Sequence, residues 1–117
     1  METKNLQAGN VVMVAVEFGG QTKIRPAIVI EVSQQKDVYL ALGSTKNLVN
    51  DKHSFVINEE EEMRKMGLKY HTRFGFGNKA DQWVEPEQIR SVVGHITQKA
   101  AQSLGKAWAN SKFVRAR

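Results

Sequence analysis

Apolar residues recur along the chain in short runs that are rich in β-branched side chains, which suit the pleated surface of a sheet. Four of these runs predict strands: residues 11–18, 38–42, 53–57 and 89–96. The most continuous run, residues 27–30, predicts a central strand that is buried on both faces. Pro26 cannot donate to a ladder, so we expect pairing to begin after it and Arg25 to lie at the strand's mouth.

Two further segments have helical signals. Residues 59–67 begin with four glutamates and end in Gly67, which predicts a short helix with Asn58 as its N-cap and the glycine at C′. Thr97 is expected to cap a second helix. The predicted apolar stripe of that helix consists of Ala100, Ala101, Leu104, Ala107 and Trp108.

Residues 72–77 predict a strand with two aromatic residues on one face, Phe74 and Phe76. Paired phenylalanines on one strand face usually point into a core. Stacking of nucleic-acid bases on these rings is the functional alternative.

The length of 117 residues fits a single domain, residues 1–117, that folds without disulfides, since there are no cysteines. Residues 1–8 are expected to be loose, and residues 97–117 to form a basic C-terminal helix and tail. Short strands with one packed helix make a small β-barrel the simplest architecture, a mainly β fold with helices.

Positive charge is concentrated at the C-terminus. The net charge is +5 and the isoelectric point about 9.6. Residues 97–117 contain no acid, and their cations are Lys99, Lys106, Lys112, Arg115 and Arg117. Such clustering favours an anionic partner, most simply nucleic acid. A solvated helix face followed by a disordered end is the alternative.

Several function classes have no support in the sequence. The histidines, His53, His71 and His95, are too irregularly spaced for a metal site, and no phosphate-binding glycine loop, hydrolase elbow or zinc-protease motif occurs. We therefore expect no metal and no cofactor. The chain shows neither a signal-peptide pattern nor an apolar run long enough to span a bilayer, so a cytoplasmic protein is expected.

Three segments, in order, resemble the MazF/PemK family of bacterial toxin endoribonucleases. They are Gly9-Asn10-Val11-Val12, then Lys23-Ile24-Arg25-Pro26-Ala27-Ile28-Val29, then a strand that ends in Gly43-Ser44-Thr45. Two later segments, Gly67-Leu68-Lys69-Tyr70-His71-Thr72-Arg73-Phe74 and Glu87-Gln88-Ile89-Arg90-Ser91, resemble further elements of the same family.

The resemblance implies an SH3-like barrel and the toxin component of a type II toxin–antitoxin system. Such a toxin cleaves single-stranded RNA without metal, through attack of the 2′-hydroxyl and a cyclic phosphate. It implies Arg25 and Thr45 as catalytic residues, with Ser44 as the substitute if the register shifts by one. A homodimer and a small antitoxin protein are the implied partners.

Further residues near these motifs are expected to contact RNA: Lys23, Lys46, His71 and Arg73. The alternative function is a non-catalytic barrel that binds nucleic acid or a host protein, as in a phage or mobile element. A gyrase-poisoning toxin similar to the CcdB group would share the scaffold, but the Arg-Pro-Ala segment resembles the ribonuclease branch.

Overall fold

The structure is a computed structural model that describes residues 6–76 and 81–115, except the side chains of Asp81 and of residues 112–115. Its strands are β1 (Asn10–Phe18), β2 (Gln21–Val32), β3 (Val38–Ser44), β4 (Ser54–Ile57), β5 (Thr72–Gly75), β6 (Asp81–Val84) and β7 (Ile89–His95). Its helices are α1 (Glu60–Met66) and α2 (Gln98–Arg115), and a 3-10 turn (Pro86–Gln88) precedes β7. The prediction of a mainly β chain with helices is confirmed.

The strands form one antiparallel sheet in the order β4-β5-β3-β2-β1-β7, with β6 paired to the other part of β3. Strand β2 therefore lies inside the sheet, between β1 and β3. Ala27, Ile28 and Val29 have no exposed surface. The prediction of a central strand buried on both faces is confirmed for residues 27–29, and Ile30 is half-buried.

Buried side chains form one cluster on each face of this sheet. The first core contains Leu6, Val12, Val14, Val16, Ala27, Val29, Val38, Leu40, Leu42, Val84 and Ile89. The second core contains Val11, Ile28, Ala41, Phe55, Ile57, Met66, Leu68, Phe74, Phe76, Ala100 and Ala107. Because side chains alternate along a strand, β1 and β2 contribute to both cores at once.

Phe74 and Phe76 are both buried in the second core, at 0% and 5% exposure, so the core interpretation of this aromatic pair is confirmed. Of the segment 1–8 that was expected to be loose, residues 1–5 lie outside the described residues. Leu6 is buried in the first core. None of the helices described is long and apolar enough to cross a bilayer.

The expectation that pairing begins after Pro26 is wrong on one side of β2. Pro26 pairs with Met13 of β1, and that ladder continues to the hairpin, whereas pairing with β3 begins at Ala27. The Pro26 carbonyl points toward β3, since it lies 3.0 Å from where a Cβ of Gly43 would be. In an antiparallel strand the N–H and C=O of one residue point to the same neighbour. The missing N–H therefore interrupts only the ladder with β3.

Helix α1 begins one residue later than expected. Its N-cap is Glu59, without a side-chain cap, so the prediction of Asn58 as N-cap is wrong. Gly67 does end the helix, with φ of 73° and its N–H bonded to the Arg64 carbonyl at 3.2 Å. The Leu68 N–H bonds to the Met63 carbonyl at 2.8 Å, which completes a Schellman motif.

Helix α2 is capped as predicted, because the Thr97 hydroxyl accepts a hydrogen bond from the Ala100 N–H at 3.1 Å. Ala100, Ala107 and Ser111 are buried against the sheet, with Leu104 and Trp108 half-buried. Ala101 is exposed, so its place in the predicted apolar stripe is wrong. Consecutive residues are 100° apart around a helix axis, so Ala101 points away from the sheet that Ala100 contacts.

The close approach of α1 to β7 can be tested at Gly67. A Cβ there would lie 2.3 Å from the Val93 carbonyl oxygen, in a left-handed backbone conformation. We expect Gly67→Ala to lower the free energy of unfolding by about 2–4 kcal/mol. In urea denaturation the matched control is Gly105→Ala in α2, where no described packing neighbour lies within 4 Å. That control should stabilise the protein by about 0.5–1 kcal/mol, and equal effects of the two substitutions would contradict the packing described.

Candidate functional site

Arg25 is a half-buried cation without an anionic partner among the described residues. Its Nε is buried and forms no hydrogen bond there. Its Cζ lies 5.0 Å from the centroid of the Phe18 ring, at cation–π distance. A buried donor that lacks a partner costs about 1–3 kcal/mol. The guanidinium is therefore held with one donor out of water and with no internal anion to neutralise its charge.

The position of Arg25 follows from the alternation of β2. Arg25 lies opposite Val14, and the next residues on its face, Ala27 and Val29, belong to the first core. The guanidinium therefore lies on the same face of the sheet as the first core, between the core and the Gly19-Gly20 turn, and contacts the Phe18 ring. Lys23 follows on the same face and is exposed. The hairpin end of this face therefore has two cations.

Ser44 and Thr45 fall on different sides of the sheet. Ala27 of β2 pairs with Leu42 of β3. Two residues further along each strand, the same register would put Ser44 opposite Arg25, on the first-core face. The Ser44 hydroxyl accepts a hydrogen bond from the Lys46 N–H at 3.1 Å and donates a long one to the Lys46 carbonyl at 3.4 Å, which a phosphate oxygen would have to replace. Thr45 instead lines a cavity together with Pro26. By strand alternation Ser44, the substitute residue, shares the first-core face with Arg25, whereas Thr45 lines the cavity on the other face.

The remaining predicted RNA contacts lie in different surroundings. Lys46 and His71 are exposed. Arg73 is held by the protein itself: its Nε donates to the Ser54 hydroxyl at 2.8 Å, and its Nη2 lies 3.0 Å from Asp51 Oδ2. An arginine whose fork is occupied in this way has less capacity for phosphate than Arg25 has.

Asp51 is the centre of that network, next to the start of β4. Its Oδ1 accepts the His53 N–H at 2.8 Å and the Ser54 hydroxyl at 2.9 Å. These two bonds, in that order, and the Arg73 charge hold the pKa of the Asp51 carboxyl below its ordinary value. The network fixes the connection between β3 and β4.

Two of the three histidines have structural contacts. His53 Nδ1 lies 3.1 Å from the buried Ser111 hydroxyl, which joins β4 to α2. His95 Nδ1 lies 2.9 Å from the Ile96 carbonyl, so it carries the proton of that bond. Neither contact involves Arg25.

A cavity of about 260 Å³ lies on the second-core face of the sheet. It is lined by Met13, Pro26, Thr45, Gly67, Leu68, Lys69, Tyr70, Thr72 and Val93. Sequence reasoning missed it because its walls come from five separated segments, none with a motif for a pocket. The exposed Tyr70 beside the helix-ending Gly67 was the only local signal.

Neither protein-family models nor curated proteins give a match to this sequence. The resemblance to the toxin ribonucleases therefore depends on the residues quoted for it.

The Asp51 network predicts a pH-dependent contribution to stability. The lowered pKa means that the ionised carboxylate stabilises the folded state above the unfolded-state pKa of about 3.9. That contribution is lost as the pH falls through the still lower folded-state pKa. We expect Asp51→Asn to destabilise the protein at pH 7 and to have a smaller effect at pH 3, measured by urea denaturation.

The matched control for Asp51→Asn is Asp37→Asn. The side chain of Asp37 is exposed and forms no hydrogen bond among the described residues. Its substitution should change stability little at either pH. An Asp51→Asn effect of the same size at both pH values would contradict a role for the ionised carboxylate.

Proposed function

We propose that this protein binds single-stranded RNA at the hairpin end of the first-core face and cleaves it without a metal ion. The observation that carries the proposal is the state of Arg25. Its position in β2 is fixed, and its buried Nε has no hydrogen-bond acceptor among the described residues. A guanidinium stays charged at neutral pH and can donate two parallel bonds to phosphate oxygens. Exposed Lys23 and the net charge of +5 support an anionic ligand.

In the proposed reaction the 2′-oxygen of a ribose attacks the adjacent phosphorus while the bond from phosphorus to the 5′-oxygen breaks. Water accepts the proton of the 2′-hydroxyl, and water donates a proton to the leaving 5′-oxygen. The products are a 2′,3′-cyclic phosphate and a 5′-hydroxyl. Arg25 would stabilise the charge that develops on the non-bridging oxygens, and Ser44 would hold a phosphate oxygen beside it.

The finer fold within this proposal is an SH3-like barrel. It is supported by the membership of the first core, which draws on β1, β2, β3, β6 and β7. A cluster supplied by so many strands requires the sheet to curve around it. The first strand of the chain, β1, also pairs with the last strand, β7.

The toxin role, the antitoxin partner, the homodimer and the cytoplasmic location are parts of the same proposal. Their support is the resemblance of the Arg25 strand and the four other quoted segments to the toxin ribonucleases. No contact among the described residues bears on them.

The cleavage proposal is tested on a long single-stranded RNA incubated with the protein in EDTA. We expect Arg25→Ala to slow cleavage by about 100-fold or more, the usual loss for a group that stabilises transition-state charge. Arg25→Lys should retain part of the rate, because an ammonium keeps the charge but not the fork. The products should carry cyclic phosphate ends.

The control is Arg90→Ala, which removes an exposed arginine from β7. It should leave the cleavage rate unchanged, and urea denaturation of each variant checks its fold. Cleavage by Arg25→Ala at the rate of the unsubstituted protein would refute the mechanism.

A second candidate function is RNA binding without cleavage. Two observations favour it. Thr45 lines the cavity, on the other face of the sheet from Arg25. No described histidine or carboxylate forms a hydrogen bond or ion pair with Arg25 or Ser44. A proton acceptor for the 2′-hydroxyl would then have to be water. In this case the protein would retain RNA but leave it intact.

RNA binding itself has a separate test in the salt dependence of affinity. We expect Lys23→Ala to reduce the slope of log K against log salt by about 0.7, the value for one lost phosphate contact on a single strand. Lys65→Ala is the control, since Lys65 lies on α1 and pairs with Glu61 at 3.2 Å. Equal slopes for the two variants would show that RNA does not contact Lys23.

A further inference from the structure

We propose that the cavity on the second-core face is a second ligand site, and that it takes a small molecule with an apolar ring and an anionic substituent. The site does not depend on the proposed ribonuclease function. Pro26 lines this cavity while Arg25, its neighbour in β2, faces the other side of the sheet. A volume of about 260 Å³ has room for one or two fused rings.

The inner walls are apolar. Met13, Pro26 and Val93 are half-buried and Leu68 is buried, and all of them present hydrocarbon surface. The hydroxyl of buried Thr72 donates to the Tyr70 carbonyl at 2.8 Å, so its donor is already used. A nucleobase would lose water from its polar edge without gaining partners on these walls. A hydrocarbon ring has no such cost.

The rim is polar and cationic. Thr45, Lys69 and Tyr70 line the cavity and are exposed, with Tyr70 at 69%. Lys69 forms no ion pair with any described acid, and the Tyr70 ring offers an open face for stacking. An ammonium and a hydroxyl beside an apolar interior match a ligand whose anionic group stays at the mouth.

The wall at residues 67–70 is held in place before any ligand binds. The Schellman motif at the end of α1 fixes Gly67 and Leu68, and Gly67 lies against the Val93 carbonyl too closely for any side chain. The carbonyls of Met63 and Arg64 are hydrogen-bonded within the motif, so this backbone needs no ligand to satisfy it. A preformed wall reduces the entropy lost on binding.

The test uses two probes with the same ring: 2-naphthoate, which is anionic, and 2-naphthalenemethanol, which is neutral. In ¹⁵N-resolved NMR titrations of the full chain, both should shift the amide signals of residues 67–70 and 93 in a saturable way. We expect naphthoate to bind about five-fold more tightly, the value of one exposed charge interaction.

Lys69→Gln should remove the preference for the anion and leave the affinity for the alcohol unchanged. Lys106→Gln, at an exposed lysine of α2, is the matched control and should keep the preference. Thr45→Trp, which fills the mouth, should weaken both probes. The proposal is overturned if neither probe gives saturable shifts at these residues, or if Lys69→Gln still prefers naphthoate. RNA cleavage and its dependence on Arg25 would be unaffected by either outcome.

Discussion

The burial of β2 on both faces is the constraint on which the rest of this structure depends. Ala27 and Val29 point into one core and Ile28 into the other, and each is completely covered. Burying a Val or Ile side chain contributes about 1.5–3 kcal/mol. The strand therefore cannot slip or twist freely, and the residues just before its buried part, Arg25 and Pro26, inherit fixed positions.

Much of this fold could be predicted from local sequence, because local signals decided it. Alternating β-branched residues predicted most strands, Gly67 marked the end of α1, and Thr97 marked the start of α2. The burial of Phe74 and Phe76 followed from their spacing on one strand face. In each case the residues that carry the signal are neighbours in the chain.

Three features that local sequence did not indicate depend on contacts between distant segments. Pro26 can pair with β1 because its carbonyl and its missing N–H both point toward β3. The sequence alone does not show which strand lies on which side of Pro26. The contact of Asp51, from a distant loop, with the guanidinium of Arg73 was likewise not indicated by the sequence. The cavity is a third example, since its walls meet only after the sheet, α1 and the following loop have packed.

The length of the β1–β2 hairpin has a consequence for both faces of the sheet. Gly19 and Gly20 make a two-residue turn with positive φ, and this turn sets the alignment of the two strands. Adding or deleting one residue there would exchange inward and outward side chains along β2. Arg25 would then face the cavity and Pro26 would face the first core. Loop-length variants of this hairpin are therefore expected to be far less tolerated than changes of residue type within it.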